Sequence, residues 1–480
     1  MIGACSRKLS AEIVAKRSTT ARYLSPAILS GALILVVTCW LAFQIPKGAI
    51  VQADELRTAE RSREMLLKGP WTVYSNFAPS FAKPPLQYWL TAMTLPRFAN
   101  PAIAVRVWPL LYTIFAAAAV GWLAFLVDPT RSWLILLAVA IFISSPLILM
   151  EGCRGLLDVG LTFFTTLAIA LAQLARVRPG WWLGVAIACW LGTIQKIPLI
   201  FLIWLIIVLM RLRHPGDRIL LRSRWLKASV ILALVMTAIW PSIQFVHYHM
   251  PLARAFVGDD FNELLLMAEL TEKPSIDIAW MIAGWLMLAG GVFLWRGRFH
   301  GPVMELSLVL LATAGLFLIL NLRSIRYFLP ILPALSILLA LLFHHALTQK
   351  GKGRTLALVL LLFFVSSGFV YGRMRINHRM QNEFDEQQLA QKLGSLQDEA
   401  TTTLLIKSSN LLFDRFYLFY GRLHFPLQKK TLEQLRQAPI PPPVIGICST
   451  EDFFELQKIY PQARIEQTSD KSVCWRAGKL

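Results

Sequence analysis

The chain has 480 residues; 56% belong to the set AVILMFWYC, only 16% are charged, and the mean hydropathy is +0.55. Soluble domains hold roughly 45–50% apolar and about 25% charged residues, so a soluble globule, a disordered chain, a collagen-like chain and a coiled coil are all excluded. The net charge of +20 reads as basic loops on one side of a membrane rather than as a nucleic-acid surface.

A basic stretch, 1–25, precedes the first apolar run of spanning length. Such runs lie at roughly 26–44, 102–127, 132–150, 158–175, 181–195, 197–212, 226–246, 277–295, 302–320, 327–347 and 354–372, about eleven in all. The first is too long for a signal-peptide core and lacks a clean cleavage site, so it reads as a retained anchor. The runs 181–195 and 197–212 are short and meet at Gln195-Lys196-Ile197-Pro198, so they also admit a reading as one broken helix. Charge decides the count. With a cytoplasmic N-terminus, eleven spans place every basic loop inside, including the block Arg211, Arg213, Arg218, Arg222, Arg224 and Lys227. Ten spans would put Lys350, Lys352 and Arg354 outside. The outside loop 247–276 is acidic instead, with Asp259, Asp260, Glu263, Glu269 and Glu272; its stretch 259–272 reads as a lid over an acceptor.

The first outside loop, 45–101, is long and rich in charge. Residues 55–67 are strong helix formers, with Leu56, Ala59, Met65 and Leu66 along one side, which predicts an amphipathic helix on the membrane surface. An interfacial anchor would show the same pattern. Asp54, an acid close to the exit of a span, is costly unless it has a task or a partner. Further on, two prolines hold Lys83 of Lys83-Pro84-Pro85 extended. Tyr88 and Trp89 suit the headgroup level. A rigidly presented lysine there is a phosphate ligand or, equally, a snorkelling side chain.

The tail changes character. From Arg373 to Leu480 it is charged and has turn signals such as Pro439-Ile440-Pro441-Pro442-Pro443. Residues 382–397 place Phe384, Leu389, Leu393 and Leu396 on one helical face; 403–406 and 444–448 read as buried strands; and Ser409 or Asn410 caps a helix running through Tyr420 to Gly421. A small α/β domain is predicted, of a size that holds its own core. The six cysteines show no metal spacing, and no metal site is assigned. Cys448 and Cys474 form a disulfide only if the tail faces an oxidising compartment.

Asp54-Glu55, Arg63-Glu64-Met65-Leu66, Gly69-Pro70-Trp71 and Lys83-Pro84-Pro85-Leu86-Gln87-Tyr88-Trp89 together resemble the first outer loop of bacterial GT-C glycosyltransferases. The likeness is to the group that holds the aminoarabinose (lipid A) transferases and the protein O-mannosyltransferases. Arg106-Val107-Trp108-Pro109, Cys153-Arg154 with Asp158 and Phe163-Phe164, Gln195-Lys196-Ile197-Pro198, and Arg323-Ser324-Ile325-Arg326-Tyr327-Phe328-Leu329-Pro330 resemble later family segments in the expected order. Two places depart from the aminoarabinose transferases. Ala82 stands where they have Glu before Lys-Pro-Pro, and Phe256–Phe261 lacks their His or Arg.

The resemblance implies a polytopic α-helical membrane protein of GT-C type. A cytoplasmic N-terminus, 1–25, would precede a catalytic domain, 26–372, and a C-terminal periplasmic α/β domain, 373–480. It also implies an inverting glycosyltransferase in the bacterial inner membrane that takes a sugar from a polyprenyl-phosphate donor. The acceptor would be an envelope lipid, a glycan or a protein hydroxyl on the periplasmic side. The absence of any D-x-D motif agrees, because nucleotide-sugar enzymes commonly use one to hold a metal. In this reading Asp54 is the base or orients the acceptor. Lys83 and Arg326 meet the leaving phosphate, with Arg154 and Lys196 behind them. Asp158 binds sugar or acceptor, or holds Lys83 or Arg154 by an ion pair. Glu55, Arg57, Tyr88 and Arg323 support the site. No cofactor beyond the donor is implied, and no nucleic-acid partner. The alternative is a flippase or transporter of a polyprenyl-linked substrate. Transporters keep ionisable groups near the midplane, whereas these cluster outside, Glu305 excepted.

Overall fold

The computed structural model describes residues 25–81, 83–196, 199–213, 223–249, 302–319, 325–349, 351–379, 383–407, 411–412 and 414–478. The chain divides into two compact units. One comprises Met1–Gln44 and Pro109–Ile376; the other comprises Ile45–Trp108 and Asn377–Leu480. The loop expected within the catalytic domain therefore groups with the tail.

The first unit is helical. Among the described residues, five helices are long and apolar enough to cross a membrane: α1 (Ser25–Ala42), α4 (Pro101–Val127), α10 (Arg224–Tyr248), and the stretches Arg326–Thr348 and Lys352–Asn377. Five shorter apolar stretches, Trp133–Ile143, Asp158–Leu174, Trp181–Gln195, Ile200–Leu209 and Pro302–Gly315, add to them, and the chain is a multi-pass membrane protein. In chain order these give α5 (Trp133–Ile143), α7 (Asp158–Leu174), α8 (Trp181–Gln195), α9 (Leu199–Arg213) and α11 (Pro302–Ile319), with the short α6 (Pro146–Glu151) between α5 and α7. A 3-10 helix (Ile325–Ile331), α12 (Leu332–Thr348) and α13 (Lys352–Arg379) follow. The run 277–295 and the acidic stretch 259–272 lie outside the described residues.

Two local breaks differ from a plain span. The run 132–150 splits because Ser145, before Pro146, is extended (ψ 126°), and Pro146 opens α6 at its first turn. The join of the fifth and sixth runs is a true break: Lys196 has φ −148° and ψ −70°, so α8 and α9 are separate helices.

Helix α7 packs along α8 and the 3-10 helix, α8 along α10, and α12 along α5. Small residues permit such approaches in a membrane. A Cβ on Gly368 of α13 would overlap the Ser144 carbonyl oxygen, and one on Gly372 would come 2.8 Å from Leu149 Cδ1. Gly368→Val is expected to destabilise the protein by at least about 1–3 kcal/mol, read as a lower melting temperature in detergent. An unchanged melting temperature would show that α13 does not depend on this contact. At the other end of α7, Glu305 of α11 accepts from Gln173 Nε2 and Arg176 Nη2, each at 2.7 Å. Glu305, the exception to the outer clustering of charge, is therefore an interhelical tie.

The second unit is an α/β layer structure. Its elements are α2 (Ala53–Lys68), β1 (Tyr74–Ser75), β2 (Ala78–Pro79) and α3 (Leu86–Thr94) from the loop. From the tail come α14 (Phe384–Leu396), β3 (Thr402–Ile406), α15 (Asp414–Tyr420), β4 (Leu427–Lys430) and α16 (Leu432–Gln437). They are followed by β5 (Val444–Ser449), α17 (Thr450–Ile459), β6 (Arg464–Thr468) and β7 (Ser472–Ala477). The sheet order is β4-β3-β5-β7-β6, with β4, β3 and β5 parallel and β7 antiparallel to β5 and β6. Alternate residues serve two cores. Leu405, Ile445, Ile447 and Cys474 face α14, α15 and loop residues Ile50, Leu56 and Ala59. Leu404, Ile406, Val444, Cys448 and Trp475 face Leu435, Phe453 and Leu456. Cys474 is paired with Ile447 and Cys448 with Val473, so the two thiols lie on opposite faces and both are free.

The loop is bound to the tail by polar contacts as well. The Ile50 main-chain N–H donates to Tyr420 Oη at 2.8 Å. Asn76, at the β1–β2 turn with φ +53°, exchanges two hydrogen bonds with the main chain of Leu427, at 2.8 and 2.9 Å. Ser409 and Asn410 fall outside the described residues.

Candidate functional site

Helix α2 begins two residues earlier than 55–67 and is not a half-solvated amphipathic helix. Glu55, Glu60, Arg61 and Glu64 are buried along with Leu56, Ala59 and Met65, while Leu66 is exposed. Buried charges persist only when paired. Arg63 holds Glu60 through two bonds of 2.8 and 2.9 Å and also donates to the Leu423 carbonyl oxygen at 2.7 Å. Arg61 Nη1 donates to Tyr88 Oη at 2.9 Å. Tyr88 of α3 is thus buried against α2.

Glu64 is buried beside Glu60. Burial first, and the Glu60 charge second, push its carboxyl from the ordinary 4.5 up to about 8. Between those values the folded chain keeps a proton that the unfolded chain has released. This contribution to stability is full below pH 4.5 and is lost as pH rises through about 8. Glu64→Gln is expected to flatten that fall and to melt above the parent at pH 8, in a series of melts across pH. Parallel curves for parent and variant would refute it.

Asp54 sits in the first turn of α2, where the helix N-terminus favours a carboxylate. Its Oδ1 accepts from Arg57 Nη1 at 2.7 Å, and both side chains are part-exposed, so the carboxylate is reachable. Glu55 is buried and anchored by Arg106, whose Nε and Nη2 meet its oxygens at 2.7 and 3.2 Å. The same guanidinium donates to the carbonyl oxygens of Ile45, Lys47 and Ala49 at 3.0, 2.7 and 3.2 Å. One buried arginine therefore shapes the segment that leads into α2 and fixes the helix end that carries Asp54. Lys83 is half-buried at a bend just before α3.

In the first unit, Asp158 opens α7 and Lys196 stands at the break after α8, and the two form a buried ion pair. The Lys196 ammonium lies 4.8 Å from the centre of the Tyr327 ring, and the Arg326 guanidinium lies 6.0 Å from the same ring. Arg154 pairs with Glu151 at 3.3 Å. The structure thus gives Asp158 the partner Lys196 and gives Arg154 the partner Glu151. Gln195 donates to the Leu157 carbonyl oxygen at 3.1 Å and accepts from Tyr112 Oη at 3.4 Å, which ties the start of α7 to the end of α8. Arg323 lies outside the described residues.

Asp54, Glu55, Arg57, Lys83 and Tyr88 belong to the second unit, and Arg154, Asp158, Lys196 and Arg326 to the first. Arg106 and Tyr327 lie inside motifs visible in the sequence, but nothing in their spacing names their partners. Glu151 carried no signal at all, being one acid at the end of an apolar run. Chemically, the second unit offers a reachable carboxylate on a fixed helix end. The first offers two cations, Lys196 and Arg326, against the Tyr327 ring, with Lys196 paired to Asp158.

The family model for dolichyl-phosphate-mannose-protein mannosyltransferase matches residues 28–250. An undecaprenyl phosphate-alpha-4-amino-4-deoxy-L-arabinose arabinosyl transferase of Yersinia pestis (strain Pestoides F) is 32% identical over 176 residues, covering 35% of this chain and 32% of that relative. A Proteus mirabilis (strain HI4320) relative of the same description, numbered 1, is 34% identical over 155 residues, covering 30% and 28%. The alignments span about a third of the length of these curated relatives. Among solved structures, ArnT from Cupriavidus metallidurans bound to undecaprenyl phosphate superposes with a TM-score of 0.67 at 18% identity, covering 95% of this chain and 99% of that one. The Archaeoglobus fulgidus oligosaccharyltransferase in the apo form gives 0.56 at 10% identity, covering 88% and 70%. At these identities the likeness shows a shared fold.

Proposed function

We propose that this chain, whose fold is shared with ArnT, is an inverting glycosyltransferase of GT-C type that moves a sugar from a polyprenyl-phosphate donor to a hydroxyl of an envelope lipid, a glycan or a protein. The observation that carries this reading is the part-exposed Asp54 carboxylate on a helix end that Glu55 and Arg106 fix. The ArnT structure with bound undecaprenyl phosphate supports the donor class. Asp54 takes the proton of the acceptor hydroxyl as its oxygen attacks the anomeric carbon from the face opposite the phosphate. The bond from the anomeric carbon to the phosphate oxygen breaks, and the configuration inverts. The departing phosphate is a good leaving group, so it needs positive charge rather than a proton. Lys83 and Arg326 supply that charge. Lys196, held by Asp158 beside Tyr327, and Arg154, held by Glu151, are the further cations assigned to the phosphate. In this reading the protein lies in the bacterial inner membrane with a cytoplasmic N-terminus, and the loop and tail are periplasmic. The flippase alternative gains no support from a fold shared with transferases.

Mass spectrometry of envelope lipids, glycans and proteins from intact and deletion strains tests this. The deletion is expected to remove one defined sugar mass while its polyprenyl-phosphate donor accumulates. If no sugar changes and a lipid-linked precursor is stranded on the cytoplasmic leaflet, the transferase reading fails.

A further inference from the structure

The second unit contains a groove that the proposed transfer chemistry does not use. It runs between the end of α2 and α3, has a volume of about 530 Å³, and is lined chiefly by Met65, Leu66, Trp71, Trp89, Met93 and Arg97. That volume falls in the range of ligand pockets, roughly 300–1,000 Å³. The wall is built rather than incidental. Trp89 Nε1 donates to the Pro70 carbonyl oxygen at 2.6 Å, and Trp71 meets Trp89 edge-on with ring centres 6.4 Å apart. Leu66, Trp71 and Met93 are 51%, 61% and 53% exposed, a contiguous apolar surface of the kind that marks a binding site.

One charge stands in this apolar lining. Arg97 is exposed, donates to the Met93 carbonyl oxygen, and forms no ion pair among the described residues. A hydrocarbon slot with a cation at its mouth complements an amphiphile whose headgroup is anionic. Lys83 and Arg97 flank opposite ends of α3, whose nine residues rise ~13 Å. An anion on Arg97 is taken as separate from the donor phosphate assigned to Lys83, and competition with polyprenyl phosphate tests that separation.

We propose that this groove holds an acyl chain of an anionic phospholipid from the surrounding leaflet, with the lipid phosphate on Arg97. The inference rests on the reading of residues 45–108 as the outer, membrane-facing part of a lipid-embedded enzyme. Trp71 and Trp89 then form the interfacial aromatics and the groove wall at once.

The test uses the full-length protein in nanodiscs of equal phosphatidylglycerol and phosphatidylcholine, with retained lipid counted by native mass spectrometry. The intact protein is expected to retain phosphatidylglycerol in preference. Arg97→Gln should cut that preference about fivefold, the worth of one interfacial cation. Arg97→Lys should restore it, which separates lost charge from structural damage. Met93→Trp fills the slot from an exposed position and should lower the retained count for both lipids. Equal retention of the two lipids by the intact protein overturns the proposal. So does unchanged retention in Arg97→Gln and Met93→Trp, or displacement of the phospholipid by added polyprenyl phosphate. Sugar transfer is not read in this experiment, so its failure is distinguishable from failure of the transferase reading.

Discussion

Asp54→Asn is expected to lower the rate of sugar transfer by about 10²–10⁴-fold, the usual worth of a positioned general base. Asparagine keeps the size of the side chain and its place in the first turn of α2 but cannot take a proton at neutral pH. The fold should survive. Asp54 and Arg57 are part-exposed, and such a pair contributes about 0–1 kcal/mol. The measurement is the rate at which the modified envelope component appears in a deletion strain that carries the variant at parent protein levels. The donor should accumulate as in the deletion. A rate like that of the parent would remove Asp54 as the base, and with it the proposed route of proton transfer. The readout separates chemistry from folding because the melting temperature is expected to stay with the parent while the rate falls.

Arg106→Met is the second large effect, and it acts through stability and position. The arginine holds a buried carboxylate and three main-chain carbonyls at once. Methionine fills much of the volume but leaves Glu55 a buried charge without its partner. Breaking a buried pair in this way costs about 3–5 kcal/mol. Glu55→Gln should cost less, because Arg106 keeps its three carbonyls and an amide oxygen still accepts; the loss is about 1.5–3 kcal/mol. The double variant is then expected to be more stable than Arg106→Met alone, since the stranded charge is gone. Thermal unfolding of the four proteins gives the coupling directly. If Arg106→Met unfolds with the parent, the arginine does not organise this segment. Arg106→Lys should rescue poorly, because an ammonium lacks the planar fork that reaches several acceptors.

The membrane character of this chain and the apolar helices of its first unit were legible because they depend on composition and length alone. A span must be about 20 apolar residues long whatever surrounds it. The charges of the first loop stood out for a similar reason: Asp54 and Lys83 lie beside spans, where charge is costly. Buried strands β3 and β5 showed as short apolar runs. Strands β4 (Leu-Gln-Lys-Lys) and β6 (Arg-Ile-Glu-Gln-Thr) did not, because edge strands need bury only one side and read as polar loop.

Tertiary structure decided the rest. Nothing local says that α2 is covered by the tail, since its charged residues are those of a solvated face; they are buried because Arg63, Arg61 and Arg106 each find an acceptor distant in sequence, Leu423, Tyr88 and Glu55. Which cation holds Asp158 was equally open in the sequence, and the packing of α7 against α8 gives it Lys196. The possible disulfide was settled by register: Cys448 and Cys474 sit on neighbouring strands but one residue out of step, and the two-residue period of a strand sends them to opposite faces. Hydropathy and charge are properties of single residues and are written in the chain. Pairing is a property of two residues brought together by everything between them, and only the folded chain supplies it.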